Sequence, residues 1–154
     1  MAIEKVREYF SRYGMENKIL EFEVSSATVE LAAKAVGVEG QRIAKTLSFL
    51  VNDGAILIVV AGDARIDNKK YKEFFRQKAK MLTYEQVDEL IGHSVGGVCP
   101  FAINEGVKVY LDESLRRFET VFPACGSSNS AIELNMQQLE EHSASLGWID
   151  VCKY

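Results

Sequence analysis

Apolar positions recur along the chain with two periods, and the switches between them mark out its elements. Ile3, Val6, Phe10 and Tyr13 keep helical spacing, and Gly14 stands where a left-handed residue ends such a helix. Leu20, Phe22 and Val24 alternate and predict a short strand. Ser25, Ser26, Ala27 and Thr28 then offer N-cap hydroxyls to a helix carrying Val29, Ala32, Ala33 and Val36, closed by Gly37. The densest pattern runs from Gln41 to Asp63. Residues 44–51 alternate, Asn52-Asp53-Gly54 is a hairpin turn because Asp-Gly supplies positive φ angles, and residues 55–61 are continuously apolar. Such a continuous run is expected of a strand covered on both faces.

Farther on, Asp67 predicts the N-cap of a helix with an aromatic face of Tyr71, Phe74 and Phe75. Met81-Leu82 is short and apolar. Thr83 with Gln86 forms a capping box opening a helix with Val87, Leu90 and Ile91, which Gly92 stops. Residues 101–103, 107–111 and 120–124 read as strands, separated by an Asn104-Glu105-Gly106 turn and a helical turn at 112–117. A polar turn at 126–130 leads into a strand at 131–134. Asn135 with Gln138 is a second capping box, for a helix reaching about Leu146 and stopped by Gly147, and 148–152 is a terminal strand. Strands arrive in clusters between isolated helices. That predicts a single α+β domain over residues 1–154, with a mixed, strongly curved sheet and helices around it.

One residue breaks this pattern. Period two puts Lys45 on the strand face of Leu47, Phe49 and Val51, while Thr46 and Ser48 share the other with Ala44 and Leu50. An ammonium among apolar neighbours is costly to bury unpaired, so Lys45 belongs at the rim of the core, against a partner or a ligand. Pattern alone favours the plainer reading, an inward-pointing lysine that blunts a sheet edge.

Composition narrows the setting. At 47% hydrophobic and 26% charged, the 154 residues are those of an ordinary globular protein. No apolar run reaches the ~18 residues that span a bilayer, and the amphipathic N-terminal helix lacks the apolar core of a signal peptide; no membrane is expected. Cys99, Cys125 and Cys152 are widely spaced, which points to a reducing, cytoplasmic setting. With neither CxxC nor HxxxH, and only His93 and His142, neither a metal site nor a cofactor is expected. The net charge of −4 hides an asymmetry. Between Arg65 and Lys80 seven cations, Lys69, Lys70 and Lys72 among them, face only Asp67 and Glu73. Such a run suits a phosphate backbone, or is simply a solvated helix face.

For chemistry there is little else. Gly96-Gly97-Val98-Cys99-Pro100 can aim bare N–H groups into a cavity, since the glycines free the backbone and Pro100 holds the residue before it extended. His93 reads as a surface residue of a turn. Cys99 reads as a small hydrophobe, because no basic partner for a thiol nucleophile is indicated. Walker and GxGxxG motifs are absent from the sequence. By themselves these features support a pocket for an anionic or carbonyl-bearing ligand.

Together the segments resemble the YbaK/prolyl-tRNA-synthetase-associated domain family, the free-standing aminoacyl-tRNA editing proteins. The matching landmarks are Thr28 with Ala32-Ala33, the run from Ile43 to Leu47, Gly62-Asp63 with Arg65 and Asp67, the loop from Gly96 to Pro100, and the stretch from Gly126 to Leu134. The resemblance implies a curved mixed sheet forming a partly open barrel. It implies hydrolysis of the ester joining a wrong small amino acid to tRNA, often tRNA for proline, with no cofactor. Lys45 matches the functional lysine, Thr46 the small polar residue after it, and Gly96 and Pro100 the ends of the GxxxP substrate loop. Backbone at Gly97, Val98 and Cys99 would stabilise an oxyanion, and Gly126 and Ser127 would wall the pocket. Arg65, Lys69, Lys70 and Lys72 would meet the mischarged tRNA, and an aminoacyl-tRNA synthetase is a candidate partner. Cys125-Gly126 stands where the family often has two glycines. The other readings are a non-catalytic tRNA- or nucleotide-binding module, and a structural partner docked on a synthetase that needs neither Lys45 nor the loop.

Overall fold

A computed structural model of the chain describes residues 2–52 and 54–154. In order the elements are α1 (Ala2–Ser11), β1 (Leu20–Glu21), α2 (Val29–Val36), β2 (Ile43–Val51), β3 (Gly54–Ala61), β4 (Arg65–Ile66), α3 (Asn68–Phe75), α4 (Tyr84–Gln86), β5 (Lys108–Asp112), β6 (Thr120–Pro123), β7 (Ser130–Ala131), β8 (Leu134–Asn135), α5 (Met136–Ser143), β9 (Trp148–Ile149) and β10 (Cys152–Lys153). Six strands form one curled, half-barrel mixed sheet in the order β8-β6-β2-β3-β5-β9. This is the expected α+β architecture. The hairpin at its centre has the expected register, Val51 opposite Gly54 and Lys45 opposite Val60. Asn52 takes a positive φ of 55°, and Asp53 lies outside the described residues. β3 is buried from Ile56 to Ala61, as a strand covered on both faces must be.

Local capping chemistry behaves as the residue types dictate. Thr28 accepts from Leu31 N, and Asp67 from the N–H groups of Lys69 and Lys70. Thr83 with Gln86 and Asn135 with Gln138 both close reciprocal capping boxes. After Gln86 the helix loosens into a π-turn over Val87–Ile91 before Gly92 ends it. α1 packs Phe10 against Phe101, with ring centres 5.0 Å apart, and α3 packs Tyr71 against Phe49 at 5.2 Å. The small residues Ala32 and Ala33 let α2 lie close against Ile43, Phe122 and Ala131.

Where the expected strands fail, a tertiary contact accounts for it. Residues 101–103 are not a strand; Ala102 takes φ 52° and Phe101 is wholly buried against Phe10. The strand expected at 131–134 divides, because Ser130–Ala131 pairs with β1 while Leu134–Asn135 pairs with β6. Beyond Glu21 the first strand stops, since Phe22 exchanges its backbone bonds with Asn129, through both backbone and side-chain amide. The terminal strand also divides. Val151 N donates to the buried Asp112 carboxylate at 2.9 Å, and Cys152–Lys153 turns away to pair with Arg65–Ile66. α5 ends at Ser143, short of Leu146, where Ala144 turns left-handed at φ 50°. The aromatic face of α3 is only partly core, for Phe74 stays 48% exposed.

Candidate active site

A cavity of about 300 Å³ runs along β2. Six consecutive residues, 43–48, line it. Alternation would give one face only three of them, so the cavity borders the edge of the strand. The pairing explains why. On that flank β2 meets β6 only at Ile43 and Ala44, and the segment at 80–82 only from Ser48 to Leu50. Lys45, Thr46 and Leu47 occupy the interval between these partners. β2 lies inside the sheet, between β6 and β3, and its edge is open on this flank only over that interval. Ser26, Thr28 and Ala32 form the second wall, Gly96 and Val98 the third, and Ser130 and Ala131 the fourth, with Met81 and Tyr84 at the mouth. Tyr84 is 77% exposed there.

Lys45 is half-buried, and its Nζ donates to the carbonyl of Gly62 at 3.3 Å. Burial pulls its ammonium below the ordinary lysine range, partly offset by the charge of Asp63 and Glu30. Asp63 itself is committed elsewhere, to a two-pronged ion pair with Arg117 at 2.9 and 2.5 Å. Gly62 cannot be another residue, because a Cβ there would lie 2.0 Å from the carbonyl oxygen of Gly40. Lys45 is the one charged side chain lining the cavity among the described residues, and no histidine, aspartate or glutamate lines it.

The glycine loop is held from behind. A Cβ on Gly97 would fall 2.7 Å from Ser127 N and 2.8 Å from Gly126 C, so the two loops touch backbone to backbone. Gly126, at φ 91°, is in turn packed against the start of α1. Gly97 donates its N–H to Ser94 O at 3.0 Å, whereas the N–H groups of Val98 and Cys99 have no acceptor among the described residues. Gly96 and Val98 reach the cavity. Gly97, Cys99, Pro100, Gly126 and Ser127 stand one layer behind it. Ser127 Oγ donates within its own turn, which keeps that turn compact beside Asn129 and Ser130.

His93 is not the surface residue its turn suggested. It is wholly buried and its Nε2 lies 2.7 Å from Phe101 O, with Cys99 Sγ 3.5 Å from the same nitrogen. A carbonyl can only accept, so Nε2 carries the hydrogen and cannot take one from the thiol. Burial pushes the Cys99 thiol up to about 12. The Cys99–His93 contact is therefore packing, without a base.

Two of the residues that line the cavity have a fully buried hydroxyl with no partner among the described residues, Thr46 Oγ1 and Ser26 Oγ, and Ser26 is only 8% exposed. Thr46 followed from its place beside the lysine. Ser26 did not, because it reads as one of several N-cap candidates; Thr28 does the capping. The surplus of small polar residues before one helix was the only sign.

The basic residues divide. Lys69 and Lys72 are exposed on α3 beside Glu73 and Arg76, around a shallow surface groove, and Arg65 is exposed on β4. Lys70 is engaged by Asp150 at 3.0 Å and by Cys152 O at 2.9 Å. No described helix is long and apolar enough to cross a membrane.

The family model described as an aminoacyl-tRNA editing domain matches residues 23–142. The uncharacterized protein YwhH of Bacillus subtilis is 56% identical over 99% of this chain and 98% of its own. A proline–tRNA ligase of Aquifex aeolicus is 33% identical over 57% of this chain, a match covering 16% of the ligase. A crystal structure described as a candidate trans-editing enzyme for prolyl tRNA synthetase superposes with a TM-score of 0.88 at 29% identity, covering 99% of this chain and 98% of the other. The matched span takes in β2 with Lys45, the loop from Gly96 to Pro100 and the turn behind it. On that ground the chain belongs to the aminoacyl-tRNA editing domain family.

Proposed function

We propose that the protein is a trans-acting deacylase, which hydrolyses the ester of tRNA for proline carrying a wrong small amino acid. The observation that carries this reading is the cavity's charge pattern, with Lys45 the one charged side chain lining it among the described residues, together with a glycine loop whose Val98 N–H has no acceptor among them. Ester hydrolysis develops negative charge on the carbonyl oxygen, and in this reading the N–H of Val98, a residue that lines the cavity, receives it, while Cys99 behind it holds the loop. Gly97, its own N–H spent on Ser94, shapes the loop with Gly96 and Pro100. Lys45 holds a phosphate or ribose oxygen of the terminal nucleotide as a point charge, and Thr46 contacts the acyl group. Gly126 and Ser127 support the loop from behind. With no protein base at hand, a positioned water and the vicinal hydroxyl of the tRNA supply the nucleophile and its proton relay, for which an activated ester needs less help than an amide. Arg65, Lys69 and Lys72 meet acceptor-stem phosphates, Lys70 only in part, and a synthetase is a further partner in the cytoplasm.

A panel of tRNAs for proline charged with alanine, serine, cysteine or threonine tests the reading. Release of free amino acid is expected for at least one. The absence of an acid or base among the lining residues favours a second reading, a non-catalytic tRNA- or nucleotide-binding module, and RNA affinity without release would establish it.

A further inference from the structure

We propose that Arg117 is a positioning residue for Lys45: by occupying both carboxylate oxygens of Asp63, it denies the lysine a charged partner and leaves its ammonium free for the substrate. The inference rests on the deacylase reading, in which Lys45 grips the terminal nucleotide, and adds a residue to that site. Among the described residues Lys45 Nζ donates only to the Gly62 carbonyl, at 3.3 Å. Asp63 is the next residue along the chain. Burial lowers the pKa of Lys45, and the Asp63 charge opposes it, so the two groups act on each other. A carboxylate holds an ammonium more strongly than a neutral carbonyl does, and the lysine stem is long and flexible. A bare Asp63 would therefore draw Lys45 off the carbonyl and neutralise it. Arg117 removes that option with its two-pronged pair at 2.9 and 2.5 Å. The guanidinium is itself held, for Nε donates to Ser114 O at 2.8 Å and its central carbon lies 3.9 Å from the Tyr154 ring centre. The same 3-10 turn, Glu113–Arg117, steadies the chain that carries the carbonyl, since Ser114 Oγ accepts from Ala61 N at 3.1 Å. The other titratable groups acting on Lys45 are Cys152, whose thiol burial keeps protonated, and Glu30, which is exposed on α2.

The test compares Arg117→Gln, Arg117→Lys, Asp63→Asn and the double variant of Asp63→Asn with Arg117→Gln. Single-turnover deacylation at neutral pH and melting are measured on the same preparations, and Lys45 is titrated by NMR with isotope-labelled lysine. Arg117→Gln bares the carboxylate, so a loss of rate on the order of tenfold or more is expected, with the Lys45 titration midpoint rising by about one pH unit. Arg117→Lys still covers Asp63 and should keep most of the activity. Asp63→Asn breaks the same ion pair but offers no charge, so it and the double variant should stay within about threefold of the unaltered protein. A merely structural pair would cost the same from either end, and the double variant would recover nothing. That result overturns the proposal and leaves the deacylase reading in place. Should Arg117→Gln fail to melt cooperatively, Asp63→Asn decides: a retained rate with a lowered Lys45 midpoint upholds the proposal, and a large loss overturns it. If the unaltered protein hydrolyses no ester, the deacylase reading falls and the titration alone judges the capture. A midpoint raised in Arg117→Gln and restored in the double variant upholds it, and an unmoved midpoint overturns it in either case.

Discussion

His93 places its Nε2 3.5 Å from Cys99 Sγ, yet the hydrogen on that nitrogen goes to Phe101 O at 2.7 Å. A nitrogen already donating cannot serve as a base, and burial holds the thiol protonated. Cys99→Ala is therefore expected to retain most deacylation in single-turnover assays. A thioester trapped from the unaltered protein, or a loss as large as a nucleophile's removal, would overturn the backbone mechanism.

Lys45 faces the opposite expectation. Removing a charged contact from a water-poor site raises the barrier by ~2–4 kcal/mol, roughly thirty- to a thousandfold in rate. Among the described residues its one hydrogen-bond partner is the Gly62 carbonyl, and burial already disfavours its charge, so Lys45→Ala should still melt cooperatively. Melting and single-turnover deacylation measured on one preparation decide the matter; retained turnover would remove Lys45 from the site.

Gly97 has no room for a side chain, because a Cβ would press on the backbone of Gly126 and Ser127. Backbone cannot rotate aside as a side-chain tip can. Gly97→Ala is expected to cost ~1–3 kcal/mol, lowering the melting temperature by several degrees and slowing deacylation as the loop shifts. An unchanged melting curve would show that the two loops do not depend on this contact.

On α3 the lysines should differ. Lys69 and Lys72 are free to meet phosphates, whereas Lys70 is held by Asp150 and Cys152. Lys69→Ala with Lys72→Ala should weaken tRNA binding and flatten its salt dependence by roughly one slope unit per lost phosphate contact, with Lys70→Ala having the smaller effect. Affinity unchanged across a salt titration would return these residues to an ordinary solvated face.

Burial lowers the pKa of His93, with the Phe101 carbonyl opposing that shift. Below about pH 6.5 the unfolded chain takes up a proton at this residue that the folded protein refuses. Stability should then fall as the pH drops from about 6.5 toward the folded-state value and level off beneath it. His93→Gln removes this contribution, so its melting temperature should fall less steeply over the same range. Parallel pH profiles for the two proteins would contradict the assignment.

Short-range physics made much of this protein legible in its sequence. A cap needs only a hydroxyl, carboxylate or amide oxygen two or three residues before an N–H, so Thr28, Asp67, Thr83 and Asn135 could be assigned without the fold. The central hairpin was legible for the same reason, since its turn and alternation are local and fix the register that sets Lys45 opposite Val60. Lys45 itself stood out because a charge within an apolar period conflicts with its neighbours.

Other features arise where distant segments meet. The residues of 131–134 have strand-like side chains, but two different partners, β1 and β6, compete for their ends and break the run. Burial of His93 depends on Phe101, whose own strand-like neighbourhood gives way to its packing on Phe10. Lys70 is spent on Asp150, eighty residues away. The cavity exists because β2 passes from β6 to the 80–82 segment with an interval between them, which no pattern within β2 records. Ser26 borders that cavity only because Thr28 takes the cap and the Ser128 carbonyl holds the Ser26 backbone N–H at 2.6 Å. Hydrogen bonds and burial of that range are properties of the assembled sheet, and the local sequence carries no trace of them.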